Sequence, residues 1–588
     1  GIPFDTLLTW FRWRVFWFLV LSRSFTAHQR QLEQHCDGER RSAGVRLFLH
    51  RGSAIVALSE FGQISFGGLA RMLVAKGSVR LFGLRVQQSD GPVHIESLPG
   101  SCVLISNATS LSLNNTMSYG DQESLREKMQ MMGAGSALDK VRELIARFPR
   151  RTIIVLHGDD STDRYTSLKP NFSRASDSTP ENMWADSRFY ITPIEDGRAV
   201  TNRRFEDIVS KIRKAAQQAT FKLALVGSKN SGKSTALRQL CNHLIQASTS
   251  ELKRHDDYDS ATPAARDARS LTTPVFVLDL DPGQTEFTPS ACVSLVEVNA
   301  VLLDSPGGHQ MKPRKSFLVG DSTPGARPDT YVAAIHMLMS YVREELTFNH
   351  ILIVNTMGWV TGIGSLLLGA VLDIVQPCRV LATSDDFKLP RAAWPDKLIQ
   401  AEATTVTRIS PLDGLFARDM YTKPVSGAEK RRAALINYFG GLGILNRKTV
   451  ALPWNQVALH EVTGLCPPQE LLRLMNANVV ALCQAPVDVV WKSKSDPTLP
   501  MIIREPTSTA GQPFECLGFA FVRAVDVLRK TIHLISPEPE EVVKSANALV
   551  HCTGHDLTSY LVANQSRGDR HGPAVYTTGN TSTHVNEP

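Results

Sequence analysis

The hydrophobic pattern after residue 200 alternates between short, uninterrupted apolar runs and longer segments whose apolar side chains recur every three or four residues. The first pattern is typical of buried strands and the second of helices. The predicted strands are residues 221–226, 275–280, 350–355 and 379–382, and the predicted helices are residues 201–219, 234–246, 328–346 and 365–375. Because strand and helix alternate, the pattern predicts an α/β domain with a mostly parallel, doubly wound sheet.

Residues 45–106 show a different pattern, in which short β-type runs are separated by glycines. The runs are residues 46–50, 53–57, 71–75, 78–82 and 103–106. Closely spaced strands with glycine turns predict an antiparallel sandwich or barrel. Two polar stretches, residues 158–186 and 248–271, fit neither pattern, and we expect them to be surface insertions or loops.

These patterns divide the chain into five predicted segments. They are a disordered or non-native N-terminus (1–44), an N-terminal β-rich domain with the polar insertion 158–186 (45–200), an α/β domain (201–445), a smaller C-terminal domain (446–565) and a disordered tail (566–588). The apolar run 15–21 has only seven residues, whereas a membrane-spanning helix needs about 20. No clean signal-peptide cleavage site follows it, so we expect no membrane segment and explain the run by a truncated N-terminus.

Composition narrows the function classes without naming one. The 588 residues are 43% hydrophobic and 21% charged, which excludes a disordered scaffold and a fibre. The net charge of +7 permits binding to nucleic acid but does not require it. Nine cysteines form no CxxC pair, which argues against a zinc ribbon or a secreted disulfide framework and favours a reducing compartment.

The strongest local signal is Gly227-x-x-x-x-Gly232-Lys233-Ser234, which follows an apolar strand and precedes a helix. Small residues let successive backbone N–H groups wrap a polyphosphate, and the helix N-terminus adds its dipole. Lys233 would then bridge the β- and γ-phosphates, and the Ser234 hydroxyl would ligate Mg²⁺. The predicted nucleotide-binding residues are Gly227, Ser228, Lys229, Asn230, Ser231, Gly232, Lys233, Ser234 and Thr235.

A second phosphate-side signal is the pair of carboxylates at Asp279 and Asp281, at the C-terminal end of a predicted strand. Ligands of such sheets lie at this edge. One carboxylate could hold Mg²⁺, and one could accept a proton from an attacking hydroxyl. Gln284 follows on the turn across the mouth of the pocket. The alternative for Asp281 alone is an ordinary Asp-Pro-Gly turn.

A GTPase is a further alternative, because Asp304-Ser-Pro-Gly307 has the form of a γ-phosphate sensor. No [NT]KxD guanine-recognition motif follows it, so we expect these residues to form a turn.

Two loops at the same predicted sheet edge are candidates for contacting the acceptor, the molecule whose hydroxyl would receive the phosphate. One is the Gly- and Pro-rich stretch 320–331, which opens the helix at Pro328. The other contains Trp359 between glycines. On sequence alone Trp359 could be ordinary core, but an aromatic side chain at this edge can also stack on an unpaired base.

Four motifs in this order resemble the polynucleotide 5′-hydroxyl kinase family, which includes the mRNA cleavage-factor kinase subunit and the pre-ribosomal RNA-processing kinase. They are the P-loop, Asp-Leu-Asp-Pro-Gly-Gln at 279–284, Gly-Asp-Ser-Thr-Pro-Gly at 320–325, and Asn-Thr-Met-Gly-Trp-Val-Thr-Gly-Ile-Gly at 355–364. Residues 69–83 also resemble the N-terminal β-domain of the family, and residues 517–537 resemble the C-terminal domain of its ribosomal branch, so the resemblance covers roughly residues 45–560.

The resemblance implies roles for individual residues. Asp281 matches the carboxylate that activates the 5′-hydroxyl, Asp279 being the second choice. Thr323 lies in the stretch that resembles the RNA clasp, Trp359 matches the base-stacking tryptophan, and Gln284 is a further candidate RNA contact. The resemblance places the lid in residues 426–439, with Arg431 as the catalytic arginine and Arg432 as the alternate; a solvated basic patch is the other interpretation. Arg327 departs from the uncharged or acidic residue of related kinases.

The expected function is therefore ATP- and Mg²⁺-dependent phosphorylation of RNA 5′-hydroxyl ends. The resemblance further implies a Las-family endoribonuclease partner and a nucleolar, nuclear location in ribosomal RNA processing. An ATP-bound adaptor without catalysis is the competing hypothesis, since one branch of the family resembles one. Intact Lys233, Ser234 and Asp281 argue against it, because an adaptor needs no general base.

Overall fold

The structure is a computed structural model of the chain. It describes residues 39–42, 44–50, 53–97, 103–108, 118–158, 184–185, 189–193, 203–256, 273–303, 309, 311–383, 406–408, 426–440, 448–492, 499–504, 511–555 and 557. The predicted γ-phosphate sensor at 304–307, the predicted tail and most of the predicted insertion at 158–186 lie outside these residues.

The first part of the chain forms an antiparallel sheet. Its strands are β1 (Glu39–Ser42), β2 (Val45–His50), β3 (Ser53–Leu58), β4 (Gln63–Lys76), β5 (Ser78–Leu81), β6 (Leu84–Gln87), β7 (Val93–Ser97), β8 (Val103–Asn107), β9 (Thr152–Gly158), β10 (Trp184–Ala185) and β11 (Phe189–Pro193). The order is β1-β2-β3-β9-β4-β8-β5-β6, and β7 and β11 also pair with β4. The long β4 therefore organises the sheet, and β1 lies in a segment that we expected to lack order.

Two helices that the sequence pattern did not indicate cover one face of this sheet. They are α1 (Tyr119–Met131) and α2 (Leu138–Arg147). Leu125 and Met129 of α1 and Leu144 of α2 are buried against Ile55 and Val155. A capping box on Ser118 starts α1.

The P-loop part has five parallel strands among its described residues. They are β12 (Phe221–Val226), β13 (Val275–Asp279), β16 (Ile351–Asn355), β17 (Arg379–Ala382) and β18 (Val406–Arg408). Their order is β18-β17-β12-β16-β13, with every pairing among them parallel. Strands β12, β13, β16 and β17 lie where the apolar runs predicted them. Their carboxyl ends consequently meet at one edge.

Helices cover both faces of the parallel strands. They are α3 (Arg203–Ala216), α4 (Lys233–Asp256), α5 (Pro328–Glu345) and α6 (Ile363–Val375). The first two pack on one face and the last two on the other. Helix α4 continues to Asp256, through part of the stretch 248–271 that we expected to be a loop; residues 257–272 lie outside the described ones.

The sheet does not end with its parallel part. It continues through antiparallel strands β14 (Cys292–Glu297), β15 (Pro313–Leu318) and β24 (Phe514–Asp526) into the C-terminal region. The remaining elements there are α7 (Gly427–Tyr438), β19 (Val450–Pro453), β20 (Ala458–Glu461), α8 (Leu471–Met475), β21 (Val479–Gln484), β22 (Val490–Trp491), β23 (Met501–Ile503), β25 (Thr531–Ile535), α9 (Glu540–Ser545) and β26 (Ala548–His551). The C-terminal strands thus extend the sheet that carries the P-loop, which the sequence pattern did not indicate.

A turn of the N-terminal sheet is packed against the P-loop helix α4. The Asn242 side-chain amide donates to the carbonyl oxygen of Phe82 at 3.1 Å, and the Arg238 guanidinium lies 5.4 Å from the centre of the Phe82 ring. Gly83 has φ +78°, and a Cβ there would meet the His243 ring. The N-terminal sheet is therefore fixed directly behind the P-loop.

None of the helices in the described ranges combines the length and the apolar character that crossing a bilayer would require.

Candidate active site

The P-loop connects β12 to α4 in a conformation suited to an anion. Asn230 and Gly232 have positive φ angles of 64° and 89°. The ammonium of Lys233 is folded back into the loop, where it donates to the carbonyl oxygens of Gly227 and Ser228 at 3.0 and 3.2 Å. Lys233 is only 7% exposed. The lysine is thus held inside the backbone cradle that would surround a phosphate.

Gly227 is required by the close approach of β17. A Cβ at this position would overlap the hydroxyls of Thr383 and Ser231, which are themselves 2.6 Å apart. Thr383 directly follows β17, so the neighbouring strand fixes the start of the P-loop. The sequence pattern gave no signal for this role of Thr383, because the contact joins residues far apart along the chain.

Asp281 and Lys233 form the electrostatic centre of the site. Burial raises the pKa of Asp281, while Lys233 and the N–H groups of Gly283, Gln284 and Gly358 lower it. The residue as a whole is half-buried, although its carboxylate is enclosed by these donors. Burial lowers the pKa of Lys233, and Asp281 opposes that shift. Each group therefore supports the charged form of the other.

Asp279 lies deeper than Asp281 and is occupied by protein donors. It has no exposed surface. One carboxylate oxygen accepts from the Glu286 N–H at 2.7 Å and the other from the Asn355 amide at 2.9 Å. Burial raises the pKa of Asp279 to about 7 despite these bonds. This arrangement favours a supporting role for Asp279 and leaves Asp281 as the carboxylate that faces the pocket.

A buried ion network stands behind Asp279. Glu286 accepts from Arg238 Nε at 2.5 Å and lies 2.7 Å from His309 Nε2. Burial alone would raise the pKa of Glu286, but Arg238 and His309 lower it to about 2. The network joins the P-loop helix to the segment that carries both aspartates, and Arg238 also meets the N-terminal sheet through Phe82.

The acceptor loop, residues 320–327 between β15 and α5, lies against the Asp281 turn. A Cβ on Gly283 would be only 2.7 Å from the carbonyl oxygen of Ser322, so glycine is needed there. Tyr331 in the first turn of α5 is fully buried, and its hydroxyl donates to the Leu280 carbonyl at 2.8 Å. The acceptor loop and Asp281 are therefore fixed relative to each other, and Thr323 is exposed in that loop.

Trp359 links its own loop to the acceptor loop. Its indole lies over Gly364 and reaches Gly325, where a Cβ would be 2.6 Å from the ring. The side chain remains 36% exposed. The exposed part can take a stacked base, while the rest of the ring packs on glycine backbone.

Gly358, next to Trp359, joins the acceptor side to the phosphate side. Its N–H donates to Asp281. A Cβ on Gly358 would lie 3.0 Å from the Lys229 Cα and 3.1 Å from the Lys233 ammonium nitrogen. Sequence reasoning treated this glycine only as a flank of the tryptophan, although it is packed on the P-loop itself.

Helix α7, the candidate lid, brings basic side chains close to Lys229 of the P-loop. A Cβ on Gly427 would lie 3.4 Å from Arg431 Nη1 and 3.6 Å from Lys229 Nζ. Burial lowers the pKa of Lys430, and Lys229 lowers it further. Clustered positive charges beside a phosphate cradle favour an anion there. Sequence reasoning considered Arg431 and Arg432 in this helix and did not consider Lys430.

The residues present suit a nucleotide with its metal ion. Backbone groups of the exposed residues Ser228, Lys229 and Asn230, together with Lys233, form an anion cradle, and half-buried Ser234 lies in the first turn of α4. Within the described residues no group of three or more His, Cys, Asp or Glu side chains could hold a metal ion. Mg²⁺ in such sites is held mainly by phosphates, water and one or two side chains, so Ser234 and Asp281 match that requirement.

Two family models match parts of the chain. Residues 265–441 match the family described as the mRNA cleavage and polyadenylation factor CLP1 P-loop, and residues 446–557 match the NOL9-like C-terminal domain. The polynucleotide 5′-hydroxyl-kinase NOL9 of Bos taurus is 23% identical over 560 residues, which cover 85% of this chain and 75% of the relative. The chain is related to the polynucleotide 5′-hydroxyl kinases.

Other relatives of this kinase-related chain carry similar names. The NOL9 kinase of Homo sapiens is 22% identical, with 85% of this chain and 74% of the relative covered. The grc3 kinase of Schizosaccharomyces pombe is 24% identical over 56% of this chain and 47% of its own length. Among solved structures, the wild-type Clp1p–Pcf11p complex matches with a TM-score of 0.50 and 13% identity over 85% of this chain and 97% of that chain. That structure supports a P-loop kinase fold.

The buried network predicts a pH-dependent loss of stability for Glu286→Gln. The folded-state pKa of Glu286, about 2, lies below the ordinary value of 4.5, so its contribution is complete above that value and disappears as the pH falls toward 2. At about pH 7 we expect the substitution to lower the free energy of unfolding by on the order of 3 kcal/mol. Urea denaturation near neutral pH and at about pH 3 measures the difference, which should shrink in acid.

Glu470→Gln is the matched control, because Glu470 pairs with Arg473 at 3.7 Å on the exposed surface. Such a pair contributes roughly 0–1 kcal/mol. Equal losses in the two variants would contradict the account of the network.

Proposed function

We propose that the chain is an ATP-dependent polynucleotide 5′-hydroxyl kinase that phosphorylates RNA. The observation that carries the proposal is the position of Gly358. Its N–H donates to Asp281, its Cα packs on the P-loop, and the next residue is the exposed Trp359. A phosphate cradle, a candidate general base and a base-stacking surface are therefore held together by one short segment.

The residues of the P-loop would hold and polarise the triphosphate. Backbone N–H groups and Lys233 would neutralise the β- and γ-phosphates. Ser234 would hold Mg²⁺ directly and Asp281 through water, which leaves the carboxylate able to accept a proton. When bound, Mg²⁺ neutralises charge on the phosphate oxygens. Lys229, Lys430 and Arg431 lie where a lid would bring positive charge to the γ-phosphate.

Asp281 would accept the proton of the attacking 5′-hydroxyl. The 5′-oxygen forms a bond to the γ-phosphorus, the bond from that phosphorus to the β,γ-bridging oxygen breaks, and the proton moves to the carboxylate. Lys233 favours the ionised form of Asp281 and so opposes the burial that raises the pKa of this carboxyl. Because phosphoryl transfer requires little covalent chemistry from the protein, positioning and charge neutralisation supply most of the catalysis.

The acceptor end would lie between the Asp281 turn and Trp359. A terminal base could stack on the exposed part of the indole, and exposed Thr323 and half-buried Gln284 are further candidate RNA contacts. Stacking does not depend on base identity, so this surface suits RNA ends of varied sequence.

We further propose a nuclease partner and a nucleolar role. RNA with a 5′-hydroxyl arises when a metal-independent ribonuclease cuts an RNA strand, so a Las-family endoribonuclease that supplies such ends is the natural partner. The names of the relatives and the NOL9-like match at residues 446–557 are consistent with a role in ribosomal RNA processing.

The adaptor hypothesis predicts nucleotide binding without transfer. Asp281 argues against it, because a carboxylate held beside Lys233 despite its burial has a use in proton transfer and none in an interface. The test of both hypotheses is the Asp281 variant.

Asp281→Asn should lower kcat for RNA phosphorylation by roughly 10²- to 10⁴-fold, because an amide cannot accept the proton. The amide oxygen can still accept the N–H bonds of Gly283 and Gln284, so affinity for ATP should stay within a few-fold. Rates of label transfer and the dissociation constant for ATP measure the two effects. Asp488→Asn, on the exposed surface of the C-terminal region, should leave both unchanged.

The wild-type pH profile gives a second readout. Because burial raises the pKa of Asp281, kcat/KM should begin to fall at a higher pH than an ordinary aspartate would cause. Wild-type activity that is independent of pH on the acid side, or full activity of the asparagine variant, would exclude Asp281 as the base.

Trp359→Ala should raise KM for RNA roughly ten- to hundredfold, the loss expected for one stacked base, with little effect on KM for ATP. Trp491 is the matched control. It is also 36% exposed and lies in the C-terminal region, with Arg504 3.8 Å from its ring centre. If Trp491→Ala and Trp359→Ala change KM for RNA equally, the stacking assignment is wrong.

A further inference from the structure

We propose that Thr553 is a positioning residue for the acceptor loop: it holds the Asp321 carboxylate and, through it, the backbone of Thr323. The inference rests on the proposed kinase function. Thr553 belongs to the C-terminal strap, by which we mean residues 551–555 at and after the end of β26.

One carboxylate joins the strap to the acceptor loop. The Thr553 hydroxyl donates to one oxygen of Asp321 at 2.6 Å. The other oxygen accepts from the Thr323 N–H at 2.7 Å. Thr553 and Asp321 are 232 positions apart in sequence, so the bond couples the C-terminal region to the loop that faces the acceptor.

The strap is itself anchored, which lets it act as a support. His555 is 6% exposed, and its Nε2 lies 3.0 Å from the Ser290 hydroxyl. Its ring contacts the Phe519 ring with centres 5.2 Å apart. At the other end, the His551 carbonyl accepts from the Val462 N–H at 3.3 Å. Thr553 is therefore held on both sides.

Val462, which bonds the strap at His551, also contacts the start of the acceptor loop. A Cβ on Gly320 would be 2.8 Å from a Val462 methyl carbon and 3.1 Å from Arg327 Nη1. Gly320 has φ +91°, so the loop leaves β15 in a glycine conformation against the C-terminal region. Arg327 is the last residue of the loop, and its guanidinium packs back against Gly320 at the start of the loop.

These contacts distinguish the acceptor side from the nucleotide side. Within the part of the chain that the structure describes, the hydrogen bonds of Thr553 and Asp321 run to each other and to Thr323, and none reaches the P-loop. Loss of the Thr553 hydroxyl would free the Asp321 carboxylate to rotate and loosen Thr323. RNA binding would then have to order the loop, and this cost weakens RNA affinity without changing ATP affinity.

Thr553→Val removes the hydroxyl and keeps the shape of the side chain. We expect KM for RNA to rise roughly three- to tenfold, the net effect of losing one typical hydrogen bond, while KM for ATP and kcat stay within about twofold. Thr553→Ser should restore KM, because serine retains the donor. Thr531→Val is the matched control: its hydroxyl bonds the Arg529 carbonyl at 3.0 Å on a distant hairpin, and KM should not change.

A double-mutant cycle with Asp321→Asn identifies the route. If Thr553 acts through Asp321, the two substitutions together should raise KM for RNA by less than the product of their separate effects. An unchanged KM in Thr553→Val, equal increases for RNA and ATP, or failure of serine to restore the wild-type value would overturn the inference.

A readout that needs no catalysis separates this inference from the proposed function. Amide hydrogen exchange at residues 320–327 should accelerate in Thr553→Val and return to the wild-type rate in Thr553→Ser. Unchanged exchange overturns the positioning role whether or not the wild type transfers phosphate. Absence of transfer in the wild type, with faster exchange in the valine variant, would instead contradict the kinase function alone.

Discussion

The packing of three backbone segments at one edge of the parallel sheet is the constraint on which the site depends. Strands β12, β13 and β16 end side by side, so the P-loop, the Asp281 turn and the Trp359 loop leave the sheet together. Gly358 is then close enough to the P-loop that any side chain there would press on Lys229 and Lys233. The site is therefore built mainly by backbone proximity, and the side chains add charge and a stacking surface to it.

This arrangement carries an electrostatic cost that the surrounding charges offset. Burial raises the pKa of both Asp279 and Asp281. Backbone N–H groups, Asn355 and Lys233 oppose that shift, and Glu286 is held ionised by Arg238 and His309. Since Arg238 also contacts Phe82, the N-terminal sheet takes part in the same network. A carboxylate that is costly to ionise yet stays enclosed is suited to taking up a proton during a reaction.

Local pattern was enough to predict the strands that carry the candidate phosphate side of the site. Strands β12 and β17 have the predicted bounds, and the P-loop has the expected flanks, because a buried strand and a glycine-rich turn leave strong signals within ten residues. Helices α1 and α2 were missed, since the glycine-separated runs that precede them suggested a β-rich domain. The sheet's continuation through β24 and the Thr553–Asp321 bond join residues hundreds of positions apart, and such pairings leave no periodicity in a single sequence.

The most direct measurement is the transfer of labelled γ-phosphate from ATP to a 5′-hydroxyl RNA oligonucleotide, by the wild type and by Lys233→Ala, with and without a candidate nuclease partner. An oligonucleotide with a 5′-phosphate is the control acceptor. The account predicts that the wild type labels the 5′-hydroxyl RNA and not the 5′-phosphate RNA, and that Lys233→Ala labels neither. ATP binding without any label, with and without the nuclease, would contradict it and support a nucleotide-bound adaptor.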